Sequence, residues 1–268
     1  MNRKRTLYNI LAVFFVSLVL VACSSLQQPN QTVTSTVSNT LRAAIVDHLS
    51  TSHPNEAFVK ECSDILKESG YAVDYYKGEE VTVEFYRNLP TLEYDLIVFR
   101  VHSAYIHKYL SLSMFTSEPY SKERYVQEQM RNRVARGFIE PYHSGDPDYL
   151  VITDKFVRYS MQGSFKNTII IMMGCTGIKK CMASAFLEKG AKAYIGWNGL
   201  VSAGHTDAAT TRLLRNLLLE GKTIAQSVAQ TMKEVGHDAQ YKSMLLFWPI
   251  EAENIKVQTL PASHKYPK

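Results

Sequence analysis

The chain has 268 residues, of which 46% are hydrophobic and 21% are charged, and it contains 4 cysteines. This composition is too apolar for a disordered protein and too poor in cysteine for a disulfide scaffold, while the length is enough for one large domain or two small ones. The formal net charge is +5, but Arg3, Lys4 and Arg5 supply three of these charges and the rest of the chain carries only +2, which excludes a nucleic-acid-binding surface.

The N-terminus predicts an export signal that is not part of the fold. Its basic start is followed by an uncharged apolar stretch, residues 10–22, which is shorter than the roughly 20 residues of a membrane span and fits the apolar region of a secretory signal. The sequence Leu20-Val21-Ala22-Cys23 resembles the lipobox of prokaryotic lipoproteins. The resemblance implies that residues 1–22 are a signal peptide, that cleavage precedes Cys23 and that its thiol is lipidated. The alternative is an ordinary signal or anchor with a cysteine there by chance.

The next segment predicts a flexible tether. Residues 24–40 contain no charged side chain and are rich in Ser, Thr, Gln and Asn, so they cannot bury enough surface to fold. With Cys23 they form a coil that spans roughly 20–25 Å. We therefore expect an exported protein that is lipid-anchored to the outer side of a cell membrane, with its folded domain in residues 41–268.

The remaining chain alternates apolar strands with amphipathic helices. Strands are predicted at residues 41–46, 71–76, 94–101, 168–173 and 191–197, and helices at residues 54–70, 179–189, 206–220 and 223–236, with residues 81–88 ambiguous. Nearly continuous apolar strands are typical of a parallel sheet that is covered on both faces. The alternation predicts one α/β domain with crossover connections.

One long segment, between residues 101 and 168, interrupts this alternation. It is rich in Tyr and charged residues, and we expect an exposed helix at residues 121–138, a loop at 142–148 and a short strand at 149–153. An insertion after a strand is a common place for binding loops and lids. A subdomain with no role in recognition is the alternative.

Two predicted strand ends carry residues that suit nucleophilic catalysis. The strand at residues 94–101 is followed directly by His102, and the strand at 168–173 by Gly174 and Cys175. Ligands of open α/β sheets bind beyond the carboxyl ends of the strands. A nearby imidazole and a following helix N-terminus both favour the thiolate, and backbone N–H groups of the glycine-containing turn can stabilise an oxyanion. The alternative is a buried core histidine and an inert cysteine.

These two motifs, an apolar strand ending in His-Ser and another ending in Gly-Cys-Thr-Gly, resemble the caspase-like cysteine peptidases, which include caspases, clostripain, gingipains, legumain and CHAT-domain proteins. The resemblance covers about residues 41–235 and is best from 168 to 228. It implies a three-layer α/β fold with a mostly parallel central sheet flanked by helices, and an insertion (about residues 103–166) between the strands that bear His and Cys. His102 would be the general base or acid, Cys175 the nucleophile, and the backbone of Ser103 and Cys175 the oxyanion hole.

One position departs from that family, and three others suggest a substrate pocket. Ser103 stands where the family commonly has Gly, so we expect its Cβ to crowd the oxyanion site. Asp47 ends the first strand, and His205 and Asp207 follow the fifth, so they are candidates for the rim of the same cleft. An acidic pocket would favour Lys or Arg before the scissile bond. The alternative is that these acids cap helices or face solvent.

The other cysteines and histidines are expected to be structural. Cys62 shares a helical face with apolar residues and is predicted to lie in the core. Cys181 is expected to serve packing, with a resolving thiol for Cys175 as the alternative. His107 and His143 of the insertion are predicted to be surface residues.

The sequence thus favours a membrane-anchored cysteine peptidase that acts on a peptide or protein substrate without a metal or other cofactor and does not bind nucleic acid. The alternative is a catalytically inactive caspase-like lipoprotein that serves as a peptide or solute binding module.

Overall fold

The computed structural model describes residues 40–107, 110–139 and 145–260. The predicted signal peptide, Cys23, the tether as far as residue 39, and His143 lie outside these residues. The described strands, in chain order, are β1 (Leu41–Asp47), β2 (Tyr71–Lys77), β3 (Leu96–Arg100), β4 (Ser103–Ile106), β5 (Ser111–Pro119), β6 (Val134–Gly137), β7 (Tyr149–Thr153), β8 (Ile169–Met172), β9 (Ala193–Trp197) and β10 (Leu245–Trp248).

The described α-helices are α1 (Glu56–Glu68), α2 (Val83–Asn88), α3 (Val126–Met130), α4 (Asp154–Tyr159), α5 (Lys180–Glu188), α6 (Ala203–Leu214) and α7 (Ile224–Val235). Capping residues mark the ends of several of these helices. The Asn55 side chain accepts a hydrogen bond from Phe58 N at the start of α1. Thr223 and Gln226 form a capping box at the start of α7, and Gly236 ends that helix. The ambiguous segment at residues 81–88 becomes α2 because Thr82 caps it.

The central sheet has six strands in the order β10-β9-β8-β3-β1-β2. Neighbouring strands from β2 to β9 run parallel, and β10 pairs antiparallel with β9 at the edge. Side chains alternate between two cores: Val98 and Ile171 face α1, α6 and α7, whereas Ile97 and Ile170 face α2, α4 and α5. The predicted α/β class, with a mostly parallel sheet between layers of helices, is confirmed.

The insertion differs from the prediction. Residues 121–138 contain only the short helix α3 and the strand β6, and the segment as a whole builds a four-stranded antiparallel sheet in the order β4-β5-β7-β6. Its apolar side chains Leu112, Leu150 and Ile152 share a core with Phe99 of the central sheet. The predicted helix is wrong because β6 gains its hydrogen bonds and burial from pairing with the distant strand β7.

Among the described residues, no helix combines the length and the apolar character that crossing a bilayer requires.

Candidate active site

The register of two neighbouring strands brings His102 and Cys175 to the same edge of the sheet. β3 and β8 pair in parallel with Phe99 opposite Met172, and Met173 N donates to Phe99 O at 2.9 Å. His102 and Cys175 each lie three residues after this last pair, just beyond the ends of β3 and β8. The two strand ends are tied together there, because Ser103 Oγ donates to Cys175 O at 2.6 Å.

The Cys175 side chain is half-buried at the margin of the core under α1, α6 and α7. Its Sγ lies 3.7 Å from Val201 O, to which the thiol donates. Burial raises the pKa of the Cys175 thiol above its ordinary value. α5 begins only at Lys180, so the helix N-terminus does not adjoin the thiol as the sequence suggested. The resting form of Cys175 is therefore the neutral thiol.

The His102 ring lies in a cluster of rings at the end of β1 and β3. Its centroid is 5.6 Å from His48, 5.9 Å from His53 and 6.0 Å from Phe115. Desolvation, together with the charges of His53 and Arg100, lowers the pKa of His102 to about 4. The imidazole is therefore neutral at neutral pH and has a lone pair with which to accept a proton.

Within the described part of the chain, no hydrogen bond joins the His102 imidazole to the Cys175 sulfur: Nε2 faces Ser52 Oγ at 3.4 Å, and the thiol faces Val201 O. Nδ1 of His102 has no described hydrogen-bond partner, and it is not among the buried unpaired atoms. Its lone pair is thus not engaged by the described residues. Catalytic hydrogen bonds are often long without substrate and tighten when substrate binds.

Two backbone N–H groups at the strand ends are free of the sheets. The parallel ladder stops at Met173, and no described residue accepts a hydrogen bond from Cys175 N. In the second sheet Ser103 lies opposite Met114, and Phe115 N donates to His102 O at 3.0 Å. This pattern makes Ser103 a non-hydrogen-bonded position, so its N–H points away from β5. Both groups are thus available to stabilise negative charge on a ligand oxygen.

The turn that carries Cys175 is tightly constrained. A Cβ on Gly174 would lie 2.3 Å from Ser103 Oγ and 2.7 Å from Val101 O, so only glycine fits. Thr176 adopts a positive φ of 53°, and its Oγ1 donates to Cys175 O at 2.7 Å. A β-branched residue rarely adopts this conformation, and such strain is concentrated at functional sites. The Ser103 hydroxyl is turned towards Cys175 O, and the crowding of the oxyanion site by the Ser103 Cβ stays a prediction.

The structure gives the predicted substrate-pocket acids a different role. Asp47 and Asp207 are buried, and both bind the guanidinium of Arg100, which is itself only 1% exposed. Arg100 Nη1 donates to Asp47 Oδ1 at 2.9 Å, and its Nε and Nη2 donate to the two oxygens of Asp207 at 2.8 and 2.9 Å. Asn55 also donates to Asp207 at 2.8 Å. Neither carboxylate is open to a basic substrate side chain.

His205 likewise has a local partner. Its Nε2 lies 3.2 Å from Gly236 O, and its ring packs 5.4 Å from Trp197. These partners of His205 differ from Arg100, the residue that binds both Asp47 and Asp207. The three residues therefore do not form the predicted pocket.

Sequence reasoning missed Arg100 and the turn after β1. The signal for Arg100 was a cation inside an otherwise apolar strand, because such a residue needs acidic partners when buried. The residues Ser52 and His53 carried no sequence signal, since only the fold places them beside His102.

The remaining described cysteines are free. Cys62 is buried, which raises its thiol pKa to about 12, and Cys181 packs against the core, as predicted.

No protein-family model matches the sequence, and no curated protein matches it significantly. Solved structures with a similar fold include the Arg-specific cysteine proteinase gingipain R (RgpB), at 10% identity and a TM-score of 0.46, which is matched over 82% of this chain and 45% of its own. The Drosophila initiator caspase Dronc is similar at 9% identity and a TM-score of 0.42, over 80% of each chain. The chain thus spans less than half the length of the gingipain chain. Both proteins belong to the caspase-like cysteine peptidases that the motifs resemble.

Proposed function

We propose that the chain is a cysteine peptidase in which Cys175 is the nucleophile and His102 the general base and acid. The observation that carries the proposal is the β3–β8 register, which delivers the two residues to one edge of the sheet and is secured by the hydrogen bond from Ser103 Oγ to Cys175 O. A thiol and an imidazole at adjoining strand ends are the groups that acyl transfer requires.

The proposed reaction has two stages. The His102 imidazole takes the thiol proton as Cys175 Sγ attacks the scissile carbonyl carbon, and the carbonyl oxygen becomes an oxyanion that accepts hydrogen bonds from Cys175 N and Ser103 N. The carbon–nitrogen bond then breaks, and the imidazolium gives its proton to the leaving amine. A water molecule attacks the resulting thioester, His102 accepts its proton, and the carboxylic acid and the free thiol are released.

The resting site requires substrate to complete it. Burial raises the thiol pKa, and desolvation lowers that of the imidazole, so an ion pair does not form spontaneously. Proton transfer is then coupled to attack on a bound substrate. The proposal does not include specificity for Lys or Arg, because Asp47 and Asp207 are buried and already bind Arg100.

We further propose that the protein is exported and anchored by a lipid on Cys23 to the outer side of a cell membrane, where it meets a peptide or protein substrate. The support is the sequence Leu20-Val21-Ala22-Cys23 and the uncharged segment that follows. Metabolic labelling with an alkyne fatty acid should mark the wild type and not Cys23→Ser. Equal labelling of both would contradict the anchor.

A binding module without catalysis is the second candidate. It is favoured by the neutral thiol, whose hydrogen bond goes to Val201 O and not to the imidazole. In that case the strand ends would hold a peptide or solute through the free N–H groups without forming a thioester.

A peptide library that carries an electrophilic warhead separates the two candidates. The peptidase predicts stoichiometric labelling of Cys175, detected by peptide mass spectrometry, at a rate that falls roughly 100-fold in His102→Ala. Cys181→Ser, which removes another half-buried thiol, is the matched control and should label like the wild type. Slow labelling at the same rate in the wild type and His102→Ala would refute the peptidase and support the binding module.

A further inference from the structure

The turn after β1 places a second hydrogen-bonding group against His102. Ser52 Oγ lies between two rings, 3.4 Å from His102 Nε2 and 3.0 Å from His53 Nδ1. The hydroxyl therefore links the half-buried His102 to the exposed His53 in one chain of hydrogen bonds. The β3–β8 register that forms the proposed dyad does not account for this link.

The position of the Ser52 hydroxyl is fixed by the backbone around it. The N–H groups of Ser52 and His53 both donate to Leu49 O, at 3.1 and 2.7 Å. Buried Arg100 donates from Nη2 to His53 O at 2.8 Å. The guanidinium that binds the two aspartates thus also holds the turn against His102.

The Ser52 hydroxyl has one proton and two lone pairs, so it accepts from both rings or donates to one and accepts from the other. When both rings donate, His102 carries its proton on Nε2. The other case runs in one of two directions. In the first, His102 Nε2–H donates to Ser52 Oγ, and Ser52 donates to His53 Nδ1, so that both neutral rings carry their proton on Nε2. In the second, both rings carry it on Nδ1. Neutral imidazole side chains intrinsically prefer the Nε2–H tautomer, so the first direction is favoured at both ends.

We propose that Ser52 is a positioning residue that holds neutral His102 as the Nε2–H tautomer, with His53 completing the chain. The consequence for the reaction rests on the peptidase function proposed above: His102 Nδ1, which has no described partner, keeps the lone pair that accepts the thiol proton. Hydrolases that use histidine as the general base lose most of their activity when that histidine is held in the wrong tautomer.

The tautomer of His102 is measured directly by long-range nitrogen–proton NMR of the full chain labelled with nitrogen-15 histidine, with His102→Gln used to assign the signal. We expect the Nε2–H pattern in the wild type and an increased Nδ1–H population in Ser52→Ala. Ser52→Thr keeps the hydroxyl and should restore the wild-type pattern. Ser50→Ala is the matched control, because Ser50 Oγ in the same turn donates to Asp47 O at 2.9 Å and does not contact His102. An Nδ1–H wild type, or a Ser52→Ala spectrum like that of the wild type, overturns the proposal.

The rate of Cys175 modification by the peptide warhead provides the functional measurement. We expect Ser52→Ala to reduce it roughly 10-fold, with recovery in Ser52→Thr and no change in Ser50→Ala. If the tautomer shifts in Ser52→Ala while the wild type and His102→Ala label equally slowly, the Ser52 link stands and the peptidase proposal fails. If His102→Ala slows labelling but Ser52→Ala changes neither the tautomer nor the labelling rate, the peptidase proposal stands and the proposed role of Ser52 fails.

Discussion

Arg100, at the end of β3, is a buried cation beside the candidate site. Its guanidinium is 1% exposed and is shared by Asp47 and Asp207, and it also donates to His53 O. Removing Arg100 would lower the stability of the protein strongly, because two buried carboxylates would be left without a cationic partner. Arg100 therefore has a structural role: it joins β1, through Asp47, to α6, through Asp207.

Arg100→Met is expected to lower the free energy of unfolding by about 3–5 kcal/mol, measured by urea denaturation, because Asp47 and Asp207 lose their shared partner. The matched control is Arg215→Met, which removes an ion pair with Glu61 whose side chains are 41% and 48% exposed. That change should cost about 1 kcal/mol or less. Equal losses in the two variants would contradict the structural role of Arg100.

Two neutral histidines near the site predict that acid destabilises the fold. Desolvation is the largest cause that lowers the pKa of His48 to about 3 and of His102 to about 4, from an ordinary value of 6.5. Below pH 6.5 these two histidines therefore bind protons in the unfolded chain that they do not bind in the folded protein. Their contribution to stability is complete above pH 6.5 and declines as the pH falls towards these folded-state values.

The slope should approach about 1.4 kcal/mol per pH unit for each histidine between pH 6.5 and about 4. Urea denaturation across this range should show a shallower slope in His48→Leu than in the wild type, since the carboxylates that also titrate are common to both. Identical slopes would show that His48 is protonated in the folded protein.

At the scale of single elements, the turn between β8 and α5 is tightly packed. Gly174 packs against Val101 O and Ser103 Oγ, and Gly177 against the Met172 side chain, so neither position has room for a Cβ. The turn therefore determines where β8 ends relative to β3, and with it the separation of Cys175 from His102.

Gly174→Ala is expected to destabilise the protein by roughly 1–3 kcal/mol through overpacking and to reduce warhead labelling of Cys175, because the strand ends must separate. Thermal unfolding and the labelling rate check the two effects. Gly204→Ala in α6 is the control, since nothing lies within 4 Å of its added Cβ. Wild-type behaviour of Gly174→Ala would mean that the β3–β8 contact is not needed.

The central elements could be predicted because their signals are local. Phe58, Cys62, Ile65 and Leu66 repeat at helical spacing and are the buried face of α1, and Thr223 caps α7 as expected. The edge strand β10 was missed because its four residues acquire strand geometry by pairing with β9. Short segments of this kind depend on a distant partner more than on their own propensity.

At the scale of the whole molecule, the insertion is part of the main core. Leu150 and Ile152 of β7 are fully buried in the cluster that contains Phe99 and Met172 of the central sheet. The second sheet also supplies Phe115, whose ring lies 6.0 Å from His102. Its packing therefore supports the histidine side of the candidate site.

Ile152→Ala is expected to cost about 2–5 kcal/mol, as a substitution in a well-packed core does, and to leave a single cooperative unfolding transition. Met130→Ala is the control from the same insertion, because Met130 is 74% exposed, and its effect should stay within about 0.5 kcal/mol. A separate low-temperature transition in Ile152→Ala would show that the insertion unfolds independently as a lid.

The sequence by itself determined the α/β class, most strands and helices of the central layers, and the positions of a histidine and a cysteine just after two strands. Apolar periodicity, caps and the residues that follow each strand are local, so they can be found without coordinates. Tertiary structure alone decided the antiparallel sheet of the insertion, the Arg100 cluster and the approach of Ser52 to His102. These depend on burial and on contacts between residues far apart in the chain, such as Arg100 and Asp207, and the sequence does not show which distant polar groups will be desolvated together.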